Sequence, residues 1–388
     1  LVPMIYETHE SHLSARGSSA MRVGLDAYHT LFPAGGIARY GRALITALVD
    51  QAPGDRFVLF CNRFREKARA WRPARPNVTI RQVRLPRSWL QGLWDSVDRP
   101  RIETLCGSLD VFHGLHFMLP PARRAKRVLT VHDLTYLKFP EYFSERRLNE
   151  RGYRHELPRG LARADLVIAV SHRTREDLLE VMGFAPDRVR VVYEGVDKRL
   201  FRPIEPSYGD RLRRLYGLTE PYVVYLVGTP EPRKNLLRAV EAVRRSEPRP
   251  LLALIGSKER LRRLVGVTDP LIVFVGVVPE EHLAPLVGAA ELSFYPSLYE
   301  GFGLPVLESM ACGTPVVCSD RGSLPEVAGG AAMLVDPENV EEMAHAVSRV
   351  LTDQGLRGRL KSLCTLRASE FSWEKSAAQT LSLYRALV

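Results

Sequence analysis

Short β-branched and aliphatic runs alternate with longer stretches of helical periodicity from Met21 to the C-terminus, and that alternation constrains the fold more than any other feature. Strands separated by helix-length segments cannot pair as hairpins. They cross over, lie parallel and need helices on both faces. The runs form two series, predicting strands at 22–28, 57–61, 111–113, 128–132, 166–170 and 189–193, then at 223–227, 252–255, 272–275, 292–295, 316–318 and 333–335. Between them, Gly195 to Pro221 is rich in Pro, Gly and charge, and Pro203 and Pro206 interrupt helical continuity, so the segment reads as a linker. The expected fold class is α/β, with two doubly wound, Rossmann-like domains at 21–196 and 197–372. Ligands in such sheets bind beyond the carboxyl ends of the strands, so both halves should point their strand-to-helix loops into one cleft.

The chain has 388 residues, which at ~150 per domain accords with that division. No apolar stretch reaches the ~20 residues of a membrane-spanning helix. The first twenty residues lack the apolar centre of a secretory signal, so a cytoplasmic protein is expected. Residues 1–20 precede Met21 and its strand, and read as an extension, disordered or foreign to the native chain, outside the fold. Cys61, Cys106, Cys312, Cys318 and Cys364 are odd in number and lack metal-ligand spacing, which points to reduced, buried thiols.

From Arg56 to Arg127 there are sixteen Lys or Arg against five Asp or Glu, an excess of 11 that equals the net charge of the whole chain. Such a segment suits an anionic partner: nucleic acid, an acidic membrane surface or a phosphate-bearing substrate. It also suits a merely solvated surface. Trp89, Leu90, Leu93, Trp94 and Val97 fall at helical spacing beside Arg87, Arg99 and Arg101, either as an interfacial amphipathic helix or as core packing. A nucleic-acid binder would need base-stacking aromatics among the cations. Only Trp71, Trp89 and Trp94 offer themselves, so no nucleic-acid partner is expected.

After the first strand, Pro33-Ala34-Gly35-Gly36-Ile37-Ala38-Arg39-Tyr40 leads into an apolar-periodic helix. Paired glycines let the backbone approach a ligand, and the helix start offers N–H groups to an anion. The pattern is not the dinucleotide fingerprint G-x-G-x-x-G, which disfavours a nicotinamide enzyme. A stronger signal is Glu300-Gly301-Phe302-Gly303-Leu304-Pro305-Val306-Leu307-Glu308, which follows a strand and opens a helix at Pro305. Its glycines leave amides and the positive helix end free for a phosphate. Glu300 and Glu308 can accept the paired hydroxyls of a sugar, so the combination suits a nucleotide sugar. The turn Gly228-Thr229-Pro230-Glu231-Pro232-Arg233-Lys234-Asn235 puts two cations at a strand's carboxyl end, where they can neutralise a leaving diphosphate. No Asp-x-Asp pair occurs anywhere in the chain, so the common carboxylate grip on a metal–nucleotide complex is missing. Metal independence, with no cofactor, is expected. Val131-His132-Asp133 ends a strand of the first half and aims His132 at the cleft from the other wall, while His113 and His116 are weaker candidates.

At these residues the sequence resembles the family-4 retaining glycosyltransferases of the GT-B fold, and the resemblance runs from Met21 to the end. It rests on Gly35-Gly36, VHD at 131–133, AVSHRTREDL, the EPRKN turn, FVGVVPEEHL, and the E-x7-E stretch continuing into ESMACGTPVVCSDRGSLPEV. The resemblance implies that Glu300 and the amides of Gly301, Phe302, Gly303 and Leu304 hold the donor sugar and diphosphate, and that Glu308 binds the ribose. It puts Lys234 on the diphosphate, Gly36 near it and His132 on the donor sugar. Many members carry Arg where this chain has Thr229, so Arg233 must replace that contact or the contact is absent. The last helix, 373–388, would cross back onto the first domain. Retention through a front-face mechanism is implied, with no protein nucleophile named. The HDLTYLKFPEYF stretch looks most like bacterial mannosyltransferases of O-antigen or exopolysaccharide synthesis, which implies GDP-mannose as donor and a glycan or polyprenyl-diphosphate-linked acceptor. The alternative is a nucleotide-sugar 2-epimerase of the same fold, against which the E-x7-E stretch argues. Glu300→Ala is expected to cost turnover while leaving folding intact.

Overall fold

The computed structural model describes residues 20–31, 35–62, 64, 71, 73–143, 153–266 and 269–388. Residues 1–19, Pro33, Ala34, and Arg63, Arg65, Lys67, Arg69 and Arg72 of the basic segment lie outside them.

Two all-parallel sheets form. The first has seven strands in the order β3-β2-β1-β4-β5-β6-β7, with β1 Arg22–Asp26, β2 Arg56–Asn62, β3 Val78–Val83, β4 Val111–Gly114, β5 Lys126–Val131, β6 Leu166–Ala169 and β7 Val189–Val191. The second has six in the order β10-β9-β8-β11-β12-β13, with β8 Tyr222–Gly228, β9 Leu251–Gly256, β10 Ile272–Gly276, β11 Leu292–Tyr295, β12 Val316–Ser319 and β13 Met333–Val335. Strand order reverses between β1 and β4 and again between β8 and β11, and a doubly wound sheet binds its ligand outside the carboxyl ends at such a switch point. The glycine turn follows β1, the Arg233-Lys234 turn follows β8, and the Glu300 loop follows β11.

Three expectations change. β3 is absent from the strands that the sequence pattern predicts: VTIRQV is an edge strand with alternating half-buried and exposed positions, and its outward Thr79, Arg81 and Gln82 hide the apolar run. The supposed linker contains a helix, Pro206–Leu215, because proline is well suited to a first helical turn where no N–H is needed. Its Gly209 lies so close to Ala289 that a Cβ there would stand 3.0 Å from the Ala289 side chain, which fastens this helix to the second half. The apolar stripe of the helix Arg87–Ser96 divides in two. Leu90 and Trp94 enter the core, with the Trp94 indole donating to the Pro100 carbonyl at 2.8 Å, whereas Trp89, Leu93 and Val97 stand exposed on an adjacent face.

All five cysteines are buried. The final helix, Trp373–Leu387, packs on the first-half helix Gly36–Gln51, and the Gln51 amide donates to the Glu374 carbonyl at 2.7 Å. The Tyr384 hydroxyl lies 2.5 Å from Nδ1 of His113, whose Nε2 is 2.7 Å from the Thr130 hydroxyl. His113 is therefore a core residue tied to the C-terminal helix, and burial pushes its imidazole down to about 3. Among the described residues no helix is long and apolar enough to cross a membrane.

Candidate functional site

The helix Leu236–Arg245 buries Leu236, Ala239, Val240 and Val243 at i, i+3, i+4 and i+7, which seats it on the second sheet. Asn235 precedes it with φ of 56°, and its amide donates to the carbonyls of Pro296 at 3.0 Å and Pro337 at 2.6 Å. The Leu298 amide donates to the Arg233 carbonyl at 2.7 Å. These bonds lay the Arg233-Lys234 turn against the loop after β11 and bring three sequence-predicted residues into one buried cluster. Glu300 Oε2 accepts from Arg233 Nη1 at 2.6 Å, and Oε1 accepts from Lys234 Nζ at 2.6 Å and from the Tyr295 hydroxyl at 3.1 Å. Lys234 also donates to Tyr295.

Burial opposes the charged form of every member. For Glu300, Arg233 and Lys234 outweigh it and hold the carboxyl down at about 2. Arg233 is likewise desolvated, but Glu300, Asp133 and Glu231 raise it well above its ordinary value. Lys234 ends lowered, because burial and the neighbouring guanidinium outweigh the attraction of Glu300. The two cations are thus compensated by protein carboxylates. A diphosphate arriving here would compete for cations already in place, which costs little reorganisation.

The loop after Glu300 is pressed onto the other half. A Cβ on Gly301 would stand 1.8 Å from the His132 carbonyl oxygen and 2.7 Å from Asp133 Cβ. The Gly301 carbonyl accepts from Ser171 Oγ at 2.6 Å and Thr174 Oγ1 at 3.2 Å. Gly303, at φ of 103°, caps the helix Leu304–Ala311, its carbonyl accepting from the Val306 amide at 2.9 Å and the Leu307 amide at 3.2 Å, while Pro305 carries no N–H. The Phe302 ring is buried against Tyr193 and Phe371 at centroid distances of 6.1 and 6.0 Å, which leaves its backbone amide, the group expected at the donor, as the part that can face a ligand.

His132 faces two acceptors, Glu194 Oε1 at 3.1 Å from Nδ1 and the Leu115 carbonyl at 3.0 Å from Nε2. An imidazole donates to both only when doubly protonated. Burial disfavours that charge, but Glu194 and the Leu115 carbonyl outweigh it and raise the pKa. The two acceptors favour the doubly protonated ring, and one of them is Glu194, which the sequence does not advertise. The His116 ring packs at a tilt against those of Phe117 and His29, with centroids 3.8 and 4.5 Å apart.

Gly35 and Gly36 begin the helix Gly36–Gln51, and a Cβ on either would meet nothing within 4 Å, which leaves open space at that turn. One turn on, Arg39 pairs with Glu308 across the boundary between the halves. Three further contacts cross it. Glu326 accepts from the His172 amide at 2.8 Å and the Tyr193 hydroxyl at 2.6 Å, and the Tyr299 hydroxyl donates to Asp177, which also holds Arg173 at 2.5 Å and Lys138. Their signal in the sequence is faint: Glu326 and Asp177 lie inside helices, where a lone acid ordinarily means a solvated face.

Residues 34–200 match the family described as Glycosyltransferase Family 4, and residues 211–363 match Glycosyl transferases group 1. O-antigen chain mannosyltransferase B of Escherichia coli is 35% identical over 288 residues, covering 71% of this chain and 74% of that one. MMP alpha-(1->4)-mannosyltransferase of Mycolicibacterium hassiacum is 33% identical over 57% of this chain and 54% of its own length. Sucrose-phosphate synthase of Thermosynechococcus elongatus superposes with a TM-score of 0.76 at 26% identity, over 95% of this chain and 99% of that one. The two parallel-sheet halves, meeting at their switch points, accord with that superposition, and the chain is a glycosyltransferase of the GT-B fold belonging to the family-4 glycosyltransferases.

Proposed function

We propose that this glycosyltransferase moves mannose from GDP-mannose to a glycan or polyprenyl-diphosphate-linked acceptor in bacterial surface polysaccharide synthesis, with retention of configuration and without a metal. The observation that carries the reading is the Arg233-Lys234-Glu300 cluster set at a switch point against His132 of the other half. Two cations already at the diphosphate position supply the charge that a metal supplies elsewhere. Glu300 offers carboxylate oxygens to donor hydroxyls, and Glu308 takes the ribose. The choice of mannose rests on the mannosyltransferase relatives, and retention rests on the family resemblance. Thermal unfolding with GDP-mannose, UDP-glucose, UDP-N-acetylglucosamine, GDP and UDP, each with and without EDTA, tests donor and metal together. A ligand at ~100 times its dissociation constant adds ~2.7 kcal/mol. Stabilisation by GDP-mannose and GDP alone is the expected result. A shift confined to the uridine compounds removes the mannose reading, and one abolished by EDTA removes metal independence. Proton NMR of the product then reads the anomeric configuration.

The exposed face formed by Trp89, Leu93 and Val97, with Arg84, Arg99 and Arg101 nearby in sequence, is proposed to rest on anionic lipid at the cytoplasmic membrane surface. Vesicles containing acidic lipid should pull down the protein in low salt, and Trp89→Ala with Leu93→Ala should weaken that binding about tenfold or more, since two buried side chains contribute ~1.5–3 kcal/mol each. Binding to neutral vesicles of equal strength would remove the electrostatic part of this reading.

A further inference from the structure

We infer that Arg39, in the first half, is a positioning residue for the donor: it pairs with Glu308 of the second half and keeps that carboxylate aimed, so that the ribose subsite is complete only when the halves are closed. The inference rests on Glu308 as the ribose ligand, and its test separates the two. The geometry is a guanidinium that crosses the cleft. Arg39 lies in the first turn of the helix Gly36–Gln51, one turn beyond the paired glycines, and Nη1 donates to Glu308 Oε1. Its Nε stands 3.6 Å from Glu280 Oε1, and its guanidinium lies 5.7 Å from the centre of the Phe201 ring. Glu308 is almost wholly buried, at 2% exposure, while Glu280 is solvated.

A carboxylate can accept hydrogen bonds from both ribose hydroxyls only while it is ionised. The charged groups that act most strongly on Glu308 are Arg39, Glu280 and Glu194. Burial and both acids push the Glu308 pKa up, and Arg39 pulls it down through its charge and its hydrogen bond. Without Arg39 the carboxyl loses the cation that opposes its protonation, and a proton there would turn one acceptor oxygen into a donor. One Glu308 oxygen faces Arg39, and the other is left to the ligand. The donor subsite on the second half thereby depends on a residue of the first, which couples affinity for the donor to closure without any contact between Arg39 and the donor.

Calorimetric titration with GDP-mannose, and in parallel with UDP-glucose, from pH 6.5 to 8.5 tests this on the full chain. Arg39→Ala should weaken binding about tenfold at the lower pH, the order expected for losing one charge-assisted hydrogen bond. The ratio to wild type should shrink as pH rises and Glu308 ionises unaided. Arg39→Lys should restore most of the affinity, and in a Glu308→Gln background Arg39→Ala should cost nothing more. A tenfold loss that stays constant with pH, or that persists in the Glu308→Gln background, would make Arg39 a structural clasp and overturn the proposal. Tighter binding by Arg39→Ala would overturn it too, by showing competition with the ribose. If Glu308→Gln binds donor as well as wild type, the assignment of Glu308 itself fails, and the Arg39 proposal fails with it.

Discussion

Gly301→Ala is expected to lower kcat/KM for transfer by about a hundredfold or more, because a misplacement of ~1 Å at a reacting centre costs that much. The added methyl would stand 1.8 Å from the His132 carbonyl oxygen and 2.8 Å from its carbon. Neither is the end of a flexible side chain, and the Asp133 Cβ blocks sideways escape at 2.7 Å. The strain cannot be absorbed within the loop, because the Gly301 carbonyl is pinned by Ser171 and Thr174 of the first half. The halves must part, and Glu300 moves away from His132 as they do. Each half keeps its own sheet, so the thermal midpoint should fall far less than the activity does. Small-angle scattering should report a more open molecule. Gly358→Ala, on an exposed helical turn with nothing within 4 Å of the new methyl, serves as the neutral control. Wild-type turnover by Gly301→Ala would mean that this contact is absent from the catalytic cycle.

That contact is out of reach of the sequence, and the reason is physical. Most strands are legible because buried parallel strands are continuous apolar runs, and a run such as LSFY at β11 stands between obvious turns. β3 escapes because an edge strand carries polar side chains on its open face. The E-x7-E stretch and the Arg233-Lys234 turn are legible because unusual residue types cluster at strand ends. What holds those pieces together is not. Arg39 and Glu308 are 269 residues apart, Tyr299 and Asp177 are 122 apart, and no local pattern marks either pair. In sequence, the first glycine of the loop after β11 signifies room for a phosphate. In the structure its missing side chain also makes room for the other half of the protein. His113 illustrates the converse, since it lies among plausible site residues and is taken up by packing.

Glu300→Ala is expected to destabilise the second half by ~3–5 kcal/mol, the cost of leaving buried charges without their partner, in addition to any loss of turnover. The expectation from sequence, that folding stays intact, assumes a solvent-facing carboxylate. In the structure Glu300 is buried and accepts from Arg233, Lys234 and Tyr295 at once. Arg233 retains Glu231 at 3.1 Å, but Lys234 keeps only the Tyr295 hydroxyl. Lys234 therefore bears most of the loss, and burial already presses it toward its neutral form. Glu300→Gln, which preserves shape and one acceptor, should cost less. Adding Lys234→Met to Glu300→Gln should recover part of the stability, since the two residues share one interaction and their effects cannot add. The pH dependence follows from the sign of the shift. The Glu300 pKa is depressed from 4.5 to about 2, so its stabilisation is fully present above 4.5 and is lost as pH falls through about 2. The gap between wild type and Glu300→Ala in chemical denaturation should accordingly close on acidification, and should narrow again at alkaline pH as the stranded Lys234 of the variant gives up its proton. A variant as stable as wild type at pH 7 would show that the cluster is solvated in solution. Turnover by Glu300→Gln, measured where that variant is fully folded, then isolates the contribution of the carboxylate to the donor.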